Sequence, residues 1–268
     1  MTRIARAFER LRSQRACGIF PYLMAGYPDE PTSRALAEAA LDAGADGFEV
    51  AVPFSDPLAD GTTMQRVNAR ALAGGANLDT ALDLVRFIRT HAEDVPVALM
   101  SYYNPLRRRG DARLAAQLAA AGGDAVIVPD MPAEEAAELQ AGLQANALGL
   151  APLIAPTSPA ARIRGVAALD PAFIYCVALV GVTGARQDLS NALGEFLQRV
   201  RAETSAPLVV GFGISQPEHV QRVAQLGGSG AIVASALIDL LDRAANPVAA
   251  ARAYVADMKA GGVQALAR

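Results

Sequence analysis

Three carboxylates lie within one short stretch of the chain, residues 47–61. Glu49 is inside an apolar run, and Asp56 and Asp60 follow in a loop that contains Pro53 and Pro57. Because burying a charged carboxylate is costly, Glu49 is expected to have either a hydrogen-bonding partner or a raised pKa. A structural acid satisfied by backbone donors is the alternative for an isolated glutamate, but the two acids that follow favour general acid–base chemistry.

Glycine-containing segments in the second half of the chain predict an anion site. Residues 181–184 are Gly-Val-Thr-Gly, residues 211–215 are Gly-Phe-Gly-Ile-Ser, and each segment follows a predicted strand. Glycines let backbone N–H groups approach an anion closely, and a helix beginning near Ser235 would add the positive end of its dipole. A single glycine is more often a turn requirement, but converging segments favour a phosphorylated substrate. The predicted phosphate-binding residues are Gly184, Gly213, Ala234 and Ser235.

The residue types present exclude several other chemistries. The only lysine, Lys259, lies near the C-terminus, which excludes a Schiff-base aldolase and a chain-bound pyridoxal phosphate. Both histidines, His91 and His219, fall on predicted helices, so Ser/His/Asp, Cys/His and histidine-based metal sites are not expected. Cys17 and Cys176 are far apart and suggest neither a disulfide framework nor a metal motif. We therefore expect no metal.

The balance of charge and hydrophobicity predicts a soluble cytoplasmic protein. Of the 268 residues, 52% are hydrophobic and 19% are charged, which is enough apolar content for a sizeable core. The net charge of −3 provides no basic field for nucleic acid or a membrane surface. No apolar stretch reaches the length of about 18 residues that a membrane span needs. Residues 1–15 are predicted to form an amphipathic basic helix without an apolar signal core.

Short apolar strands alternate with helices along the whole chain. The predicted strands lie at 19–25, 48–52, 95–101, 125–128, 148–154, 172–177, 207–211 and 230–233. The predicted helices lie at 2–15, 31–43, 62–73, 78–92, 111–121, 133–145, 159–168, 191–203, 217–226, 235–243 and 247–259. Eight βα units in about 250 residues predict an α/β fold, a (β/α)₈ TIM barrel. A doubly wound open sheet is the alternative, but the chain has no Gly-rich dinucleotide or P-loop motif in strand–helix context.

A single domain of residues 1–268 is therefore expected, with the barrel at about 17–243, an extra N-terminal helix at about 2–15 and a C-terminal helix at about 247–259. Active sites in such barrels lie at the C-terminal ends of the strands. The residues at those strand ends predict a mostly apolar pocket around Glu49 and Tyr175, which is suited to a flat hydrophobic ligand. Its apolar lining is predicted to be Tyr22, Met100, Ile127, Phe212 and Ile232.

The run Pro-Phe-Ser-Asp-Pro-Leu-Ala-Asp-Gly at residues 53–61, preceded by Glu49, resembles the signature of the tryptophan synthase α subunit family. Phe20-Pro21-Tyr22, Asp130-Met131-Pro132 and the two glycine segments support the resemblance, which extends from about residue 16 to residue 240. It implies retro-aldol cleavage of indole-3-glycerol phosphate to indole and D-glyceraldehyde 3-phosphate. It also implies an αββα heterotetramer in which indole passes to a β subunit. Pyridoxal phosphate is expected in that partner, and no cofactor is expected in this chain.

The resemblance implies a role for each predicted site residue. Glu49 is the general acid and base, and Asp60 is the carboxylate that binds the indole N–H. Tyr175 is a candidate for positioning Glu49 or the glycerol hydroxyls, with packing alone as the alternative. Thr183 is expected to belong to a lid that closes over the substrate and meets Asp60.

The chain departs from the family pattern at three places. The run at 175–180 is apolar where a serine is frequent, Ala234 replaces a frequent glycine, and Tyr22 replaces a frequent phenylalanine. Two other functions stay open: a stand-alone lyase that releases indole, and a weakly catalytic subunit that regulates its β partner. Apolar loops at about 53–61, 102–110 and 131–135 are predicted to face a partner.

Overall fold

The structure, a computed structural model, describes the backbone of residues 1–177, 186–211 and 213–264. The strands are β1 Gly18–Met24, β2 Phe48–Ala51, β3 Val97–Met100, β4 Ala125–Ile127, β5 Gly149–Ala151, β6 Leu153–Ile154, β7 Ile174–Val177, β8 Leu208–Gly211 and β9 Gly230–Val233. The helices are α1 Arg3–Ser13, α2 Glu30–Asp42, α3 Thr62–Ala73, α4 Leu78–His91, α5 Tyr103–Arg109, α6 Asp111–Ala121, α7 Ala137–Gln144, α8 Ala160–Ala168, α9 Arg186–Arg201, α10 Pro217–Gln225, α11 Ser235–Arg243 and α12 Pro247–Gln264. A short 3₁₀ helix, Ala133–Glu135, precedes α7.

The strands form one parallel sheet in the order β5-β4-β3-β2-β1-β9-β8-β7-β6. The two strands at the ends of this order, β5 and β6, are consecutive in the chain and are separated only by Pro152. Proline has no N–H to donate, but the Pro152 carbonyl accepts a hydrogen bond from the Tyr175 backbone N at 3.0 Å. The predicted strand 148–154 is therefore divided at Pro152, and the predicted (β/α)₈ barrel is confirmed.

One helix was not predicted, and it changes the environment of three arginines. Residues 102–110 were predicted to be a partner-facing loop, but residues 107–109 end α5, in which Pro105 occupies the first turn where its missing N–H is tolerated. Leu106 is completely buried beneath this helix. Arg109 makes two hydrogen bonds to the Asp79 carboxylate, at 2.7 and 2.8 Å. The stretch is too short to show helical periodicity, so only packing reveals it.

Two helices extend beyond their predicted bounds. α9 begins at Arg186 rather than near 191, because its first residues are polar and provide no apolar periodicity. α12 continues to Gln264 rather than 259, through Gly261 and Gly262. A Cβ at Gly262 would lie 2.4 Å from the Cys17 carbonyl oxygen, so the two glycines allow this helix to pack closely against the barrel.

Helix α1 closes the N-terminal end of the barrel, which we call the base. Phe8 packs its ring against Phe20 and Phe173, with centroid distances of 5.7 and 6.2 Å. The opposite end, the mouth, carries the C-terminal ends of the strands and the loops that follow them. No helix in the described ranges is both long enough and apolar enough to cross a membrane.

Candidate active site

Glu49 lies on β2 at the mouth and is only 3% exposed. Its neighbours in register are Tyr22 on β1 and Ala98 on β3. One carboxylate oxygen, Oε2, is buried without a hydrogen-bonding partner among the described residues. Burial, followed by the nearby charge of Asp60, raises the pKa of Glu49 to about 8. Glu49 is therefore protonated at neutral pH and can exchange a proton with a ligand.

Asp60 lies in the loop between β2 and α3 and is half-buried. A backbone hydrogen bond from its N–H to the Pro57 carbonyl, 3.0 Å long, shapes this loop. The side chain of Asn68 donates to Asp60 Oδ2 at 3.1 Å, and the Tyr102 hydroxyl also hydrogen-bonds the carboxylate. Burial, opposed by these two hydrogen bonds, raises the pKa of Asp60 to about 6. Asp60 is therefore ionised at neutral pH while Glu49 is not.

Tyr175 lies on β7 and packs against β8, where Gly211 leaves room for its ring. A Cβ at Gly211 would lie 2.1 Å from the Tyr175 hydroxyl oxygen. Burial, followed by the charges of Glu49 and Asp60, raises the pKa of Tyr175 well above its usual range. The hydroxyl therefore stays protonated beside the two acids.

The apolar residues predicted to line the pocket are buried on neighbouring strands. Met100 and Ile127 are paired in register on β3 and β4. Ile127 and Ile232 also line a small cavity that reaches Glu49. Burial, followed by the charges of Asp60 and Glu49, raises the pKa of Tyr22 well above its usual range. Phe212 lies outside the described residues.

The predicted phosphate site is only partly described. Thr183 and Gly184 lie outside the described residues. Gly213 has φ +73°, a conformation that favours glycine. Ala234 precedes α11 with a negative φ of −122°, outside the region that favours glycine, and Ser235 begins that helix. No side chain caps α11, so its first N–H groups are not used by a capping residue.

Two residues that contact Asp60, Asn68 and Tyr102, were not predicted as site residues. Tyr102 was assigned only to a partner-facing loop. Asn68 lies on the same face of α3 as the buried residues Met64, Val67 and Ala71. A polar side chain on the apolar face of a predicted helix was the signal that could have found it. In the described part of the chain, no group of three or more His, Cys, Asp or Glu residues could hold a metal ion.

A parallel barrel with a proton-exchanging acid and an ionised carboxylate at its mouth defines this chain as a (β/α)₈-barrel enzyme. The family model for the tryptophan synthase alpha chain matches residues 8–265. The chain belongs to the tryptophan synthase α chain family, which confirms the resemblance found in the sequence.

Individual relatives agree with this assignment. The tryptophan synthase alpha chain of Roseiflexus castenholzii is 50% identical over 91% of this chain and 93% of its own length. That of Chloroflexus aggregans is 48% identical over 96% and 97%. The crystal structure of the Legionella pneumophila tryptophan synthase subunit alpha matches with a TM-score of 0.90 at 33% identity, covering 97% of this chain and 98% of that one. The Mycobacterium tuberculosis tryptophan synthase structure, in its aminoacrylate-bound form, matches with a TM-score of 0.88 at 31% identity, covering 98% and 100%.

Proposed function

We propose that this chain is the α subunit of a tryptophan synthase and cleaves indole-3-glycerol phosphate to indole and D-glyceraldehyde 3-phosphate. Family membership supports the reaction. The observation that carries it is Glu49, a buried carboxyl group at the barrel mouth with a pKa of about 8 and an oxygen without a partner. A group of this kind can deliver one proton and remove another within one catalytic cycle.

Glu49 performs both proton transfers of the retro-aldol step. It donates a proton to C3 of the indole ring, which gives the ring nitrogen positive character. It then accepts the proton of the side-chain hydroxyl next to the ring, as that hydroxyl becomes the aldehyde of glyceraldehyde 3-phosphate. The bond between C3 and the side chain breaks, and its electron pair restores the indole ring. The proton gained by C3 remains on the product.

Asp60 stabilises the positive charge that develops on the ring nitrogen. An ionised carboxylate that accepts a hydrogen bond from the indole N–H stabilises the transition state more than the ground state, because the ring nitrogen is charged only in the transition state. The partial burial of Asp60 strengthens this electrostatic interaction. The protonated hydroxyl of Tyr175 positions Glu49 or the glycerol hydroxyls. Tyr22, Met100, Ile127, Phe212 and Ile232 line the indole pocket.

The substrate phosphate binds to backbone N–H groups near Gly184, Gly213, Ala234 and Ser235. The uncapped N-terminus of α11 supports this placement, because its free N–H groups and helix dipole favour an anion. Thr183 acts in the lid that closes over the bound substrate.

A β subunit receives the indole and carries the pyridoxal phosphate. The loop at residues 53–61 supports a partner at the barrel mouth, since Leu58 within it is 92% exposed. A single exposed leucine is ordinary on a protein surface, so family membership carries the partner and Leu58 adds an apolar contact for it. Neither the stand-alone lyase nor the weakly catalytic regulator is favoured by such an observation. One domain of residues 1–268 and a cytoplasmic location complete the proposal.

Indole release from indole-3-glycerol phosphate tests this function, measured with the purified chain alone and with the β subunit of a relative. We expect slow release alone, faster release with the β subunit, and no release from Glu49→Gln in either case. Rapid release that the β subunit does not change would indicate a stand-alone lyase. Equal inactivity of the wild type and Glu49→Gln under both conditions would refute the catalytic assignment.

A further inference from the structure

Asn68 is a polar residue in an apolar environment on α3. It is 2% exposed and lies on the face of the helix that buries Met64, Val67 and Ala71. A buried amide is destabilising unless its hydrogen-bonding groups find partners. The partners of Asn68 therefore show what the residue does.

Asn68 connects both ends of the loop that carries Asp60 to helix α3. Its Oδ1 accepts a hydrogen bond from the Phe54 backbone N at 2.8 Å. Its Nδ2 donates to the Met64 carbonyl at 2.9 Å and to Asp60 Oδ2 at 3.1 Å. The first two bonds fix the orientation of the amide, and this orientation directs the third bond at the Asp60 carboxylate.

Among the residues that the structure describes, no cation faces Asp60 to hold its negative charge. Glu49 from β2, Tyr22 from β1 and Tyr175 from β7 all interact with its charge. Among the described residues, no arginine or lysine contributes to its titration, and only Asn68 and Tyr102 oppose the effect of burial. The Tyr102 hydroxyl oxygen also accepts a hydrogen bond from the Ala59 backbone N at 2.9 Å, which leaves its O–H to donate to Asp60. Asn68 is thus one of two neutral donors to this carboxylate, and two further hydrogen bonds hold its amide in place.

We propose that Asn68 is a positioning residue for the lyase reaction, whose side-chain amide holds the Asp60 carboxylate ionised and directed at the indole N–H. The proposal rests on the function proposed for Asp60. Asn68 does not touch the reacting atoms and acts only through Asp60. A purely structural residue would connect the loop to α3 without affecting how Asp60 titrates, so the two roles are separable by experiment.

The first test is the pH profile of kcat/KM for Asn68→Ala, with Asn68→Leu as a second variant that preserves more of the side-chain volume. We expect kcat/KM at pH 7 to fall about tenfold to a hundredfold, because a donor to a charged group is lost. We expect the acid limb of the profile near pH 6 in the wild type, from the pKa of Asp60. In the variants it should move upward by about one pH unit, because the ionised form of Asp60 loses its donor. The fall is mainly in kcat, because the charge on the ring nitrogen develops in the transition state.

Asn146→Ala is the matched control. Asn146 also donates to the carbonyl four residues earlier, that of Gly142, at 2.9 Å, but it follows α7 at the base of the barrel. We expect its pH profile to coincide with that of the wild type. An Asn68 variant that lowers kcat/KM equally at every pH, with an unmoved acid limb, would show a structural role and overturn the proposal.

A double-mutant cycle with Asp60→Asn separates this proposal from the proposed function. If Asn68 acts through Asp60, Asn68→Ala has no further effect on kcat/KM in the Asp60→Asn background. A full, additive effect there would overturn the positioning role while leaving the function of Asp60 intact. Wild-type activity in Asp60→Asn alone would instead refute the function of Asp60, and the positioning role with it.

Discussion

Buried carboxylates lie at both ends of this barrel, and their partners differ. At the base, Asp46 and Asp124 are nearly inaccessible to solvent, as Glu49 is at the mouth. Each base carboxylate is surrounded by donors, whereas Glu49 keeps one oxygen without a described partner. The degree of burial is similar, so burial by itself does not decide whether an acid is structural or chemical.

The two acids at the base neutralise cations that converge on them from distant parts of the chain. Asp46 accepts hydrogen bonds from the Ile19 backbone N at 3.0 Å, from Arg10 at 3.2 Å and from Lys259 at 2.5 Å. The effect is to join α1 and α12 to the start of β1. Removing one partner from such a buried ion pair would leave the other charge uncompensated, so the role of Asp46 is structural.

Asp124 is the centre of a second cluster of the same kind, with one backbone donor and two cationic side chains. It accepts hydrogen bonds from the Val97 backbone N at 2.8 Å, from Arg89 at 2.8 Å and from Arg3 at 3.0 Å. At the mouth, by contrast, Glu49 is faced by a second acid and by tyrosines. No cation in the described part of the chain faces Glu49, and this leaves its proton available for transfer.

The sharpest test of this difference is Glu49→Gln, which we expect to lower kcat/KM for indole release by about 10³- to 10⁴-fold, because both proton transfers are lost. The amide has the same shape, so the variant is expected to fold. Glu38→Gln, an exposed change on α2, is the control and should have wild-type activity. Activity of Glu49→Gln within tenfold of the wild type would contradict the comparison.

The same variant should also change how stability depends on pH. The folded pKa of Glu49, about 8, lies above the ordinary value of 4.5. Its contribution to stability is therefore fully present below pH 4.5 and is lost as the pH rises towards 8. At about 1.36 kcal/mol per pKa unit, the loss reaches at most about 5 kcal/mol. In urea unfolding, the free energy of unfolding of Glu49→Gln should rise relative to that of the wild type between pH 5 and pH 8. If the two free energies depend on pH in the same way, the pKa of Glu49 is not raised.

At the base the opposite behaviour is expected. Asp124→Ala should lower the free energy of unfolding by about 3–5 kcal/mol, because it leaves the guanidinium of Arg89 buried without its carboxylate. The folded fraction should keep its kcat, since the site is at the other end of the barrel. Asp94→Ala removes an exposed ion pair with Arg6 and should change the free energy of unfolding by less than about 1 kcal/mol. Equal losses in the two variants would show that burial of the pair does not matter.

The smallest expected effect concerns the space beside Tyr175. Gly211→Ala places a methyl group where the Tyr175 ring lies, and we expect kcat/KM to fall about tenfold as the ring is displaced. Gly165→Ala is the control, because nothing lies within 4 Å of its Cβ position in α8. That change should leave activity intact and stabilise the helix by about 0.5–1 kcal/mol. Unchanged activity in Gly211→Ala would mean that the position of the ring is unimportant.

The sequence allowed the barrel and the two acids of the mouth to be predicted, because both are local signals. The alternation of short apolar strands with helices is visible in neighbouring residues, and Glu49 and Asp60 belong to one continuous motif. The missed features depend on packing instead. α5 has one buried apolar residue, Leu106, and the division of the strand 148–154 follows from how Pro152 meets β7. The role of Asn68 follows from its hydrogen bond to Asp60, a residue eight positions earlier in the chain that only the folded loop brings next to it.

The sequence by itself determined the order of strands and helices, the family and the identities of Glu49 and Asp60. Only the tertiary structure decided which buried acids are neutralised. Arg89 and Lys259 approach Asp124 and Asp46 from 35 and 213 residues away, and no local pattern could predict those pairs. The energy of a buried charge depends on every group within a few ångströms, whatever its separation along the chain. The same physical rule therefore makes acids at one end of the barrel structural and leaves Glu49 at the other end able to transfer protons.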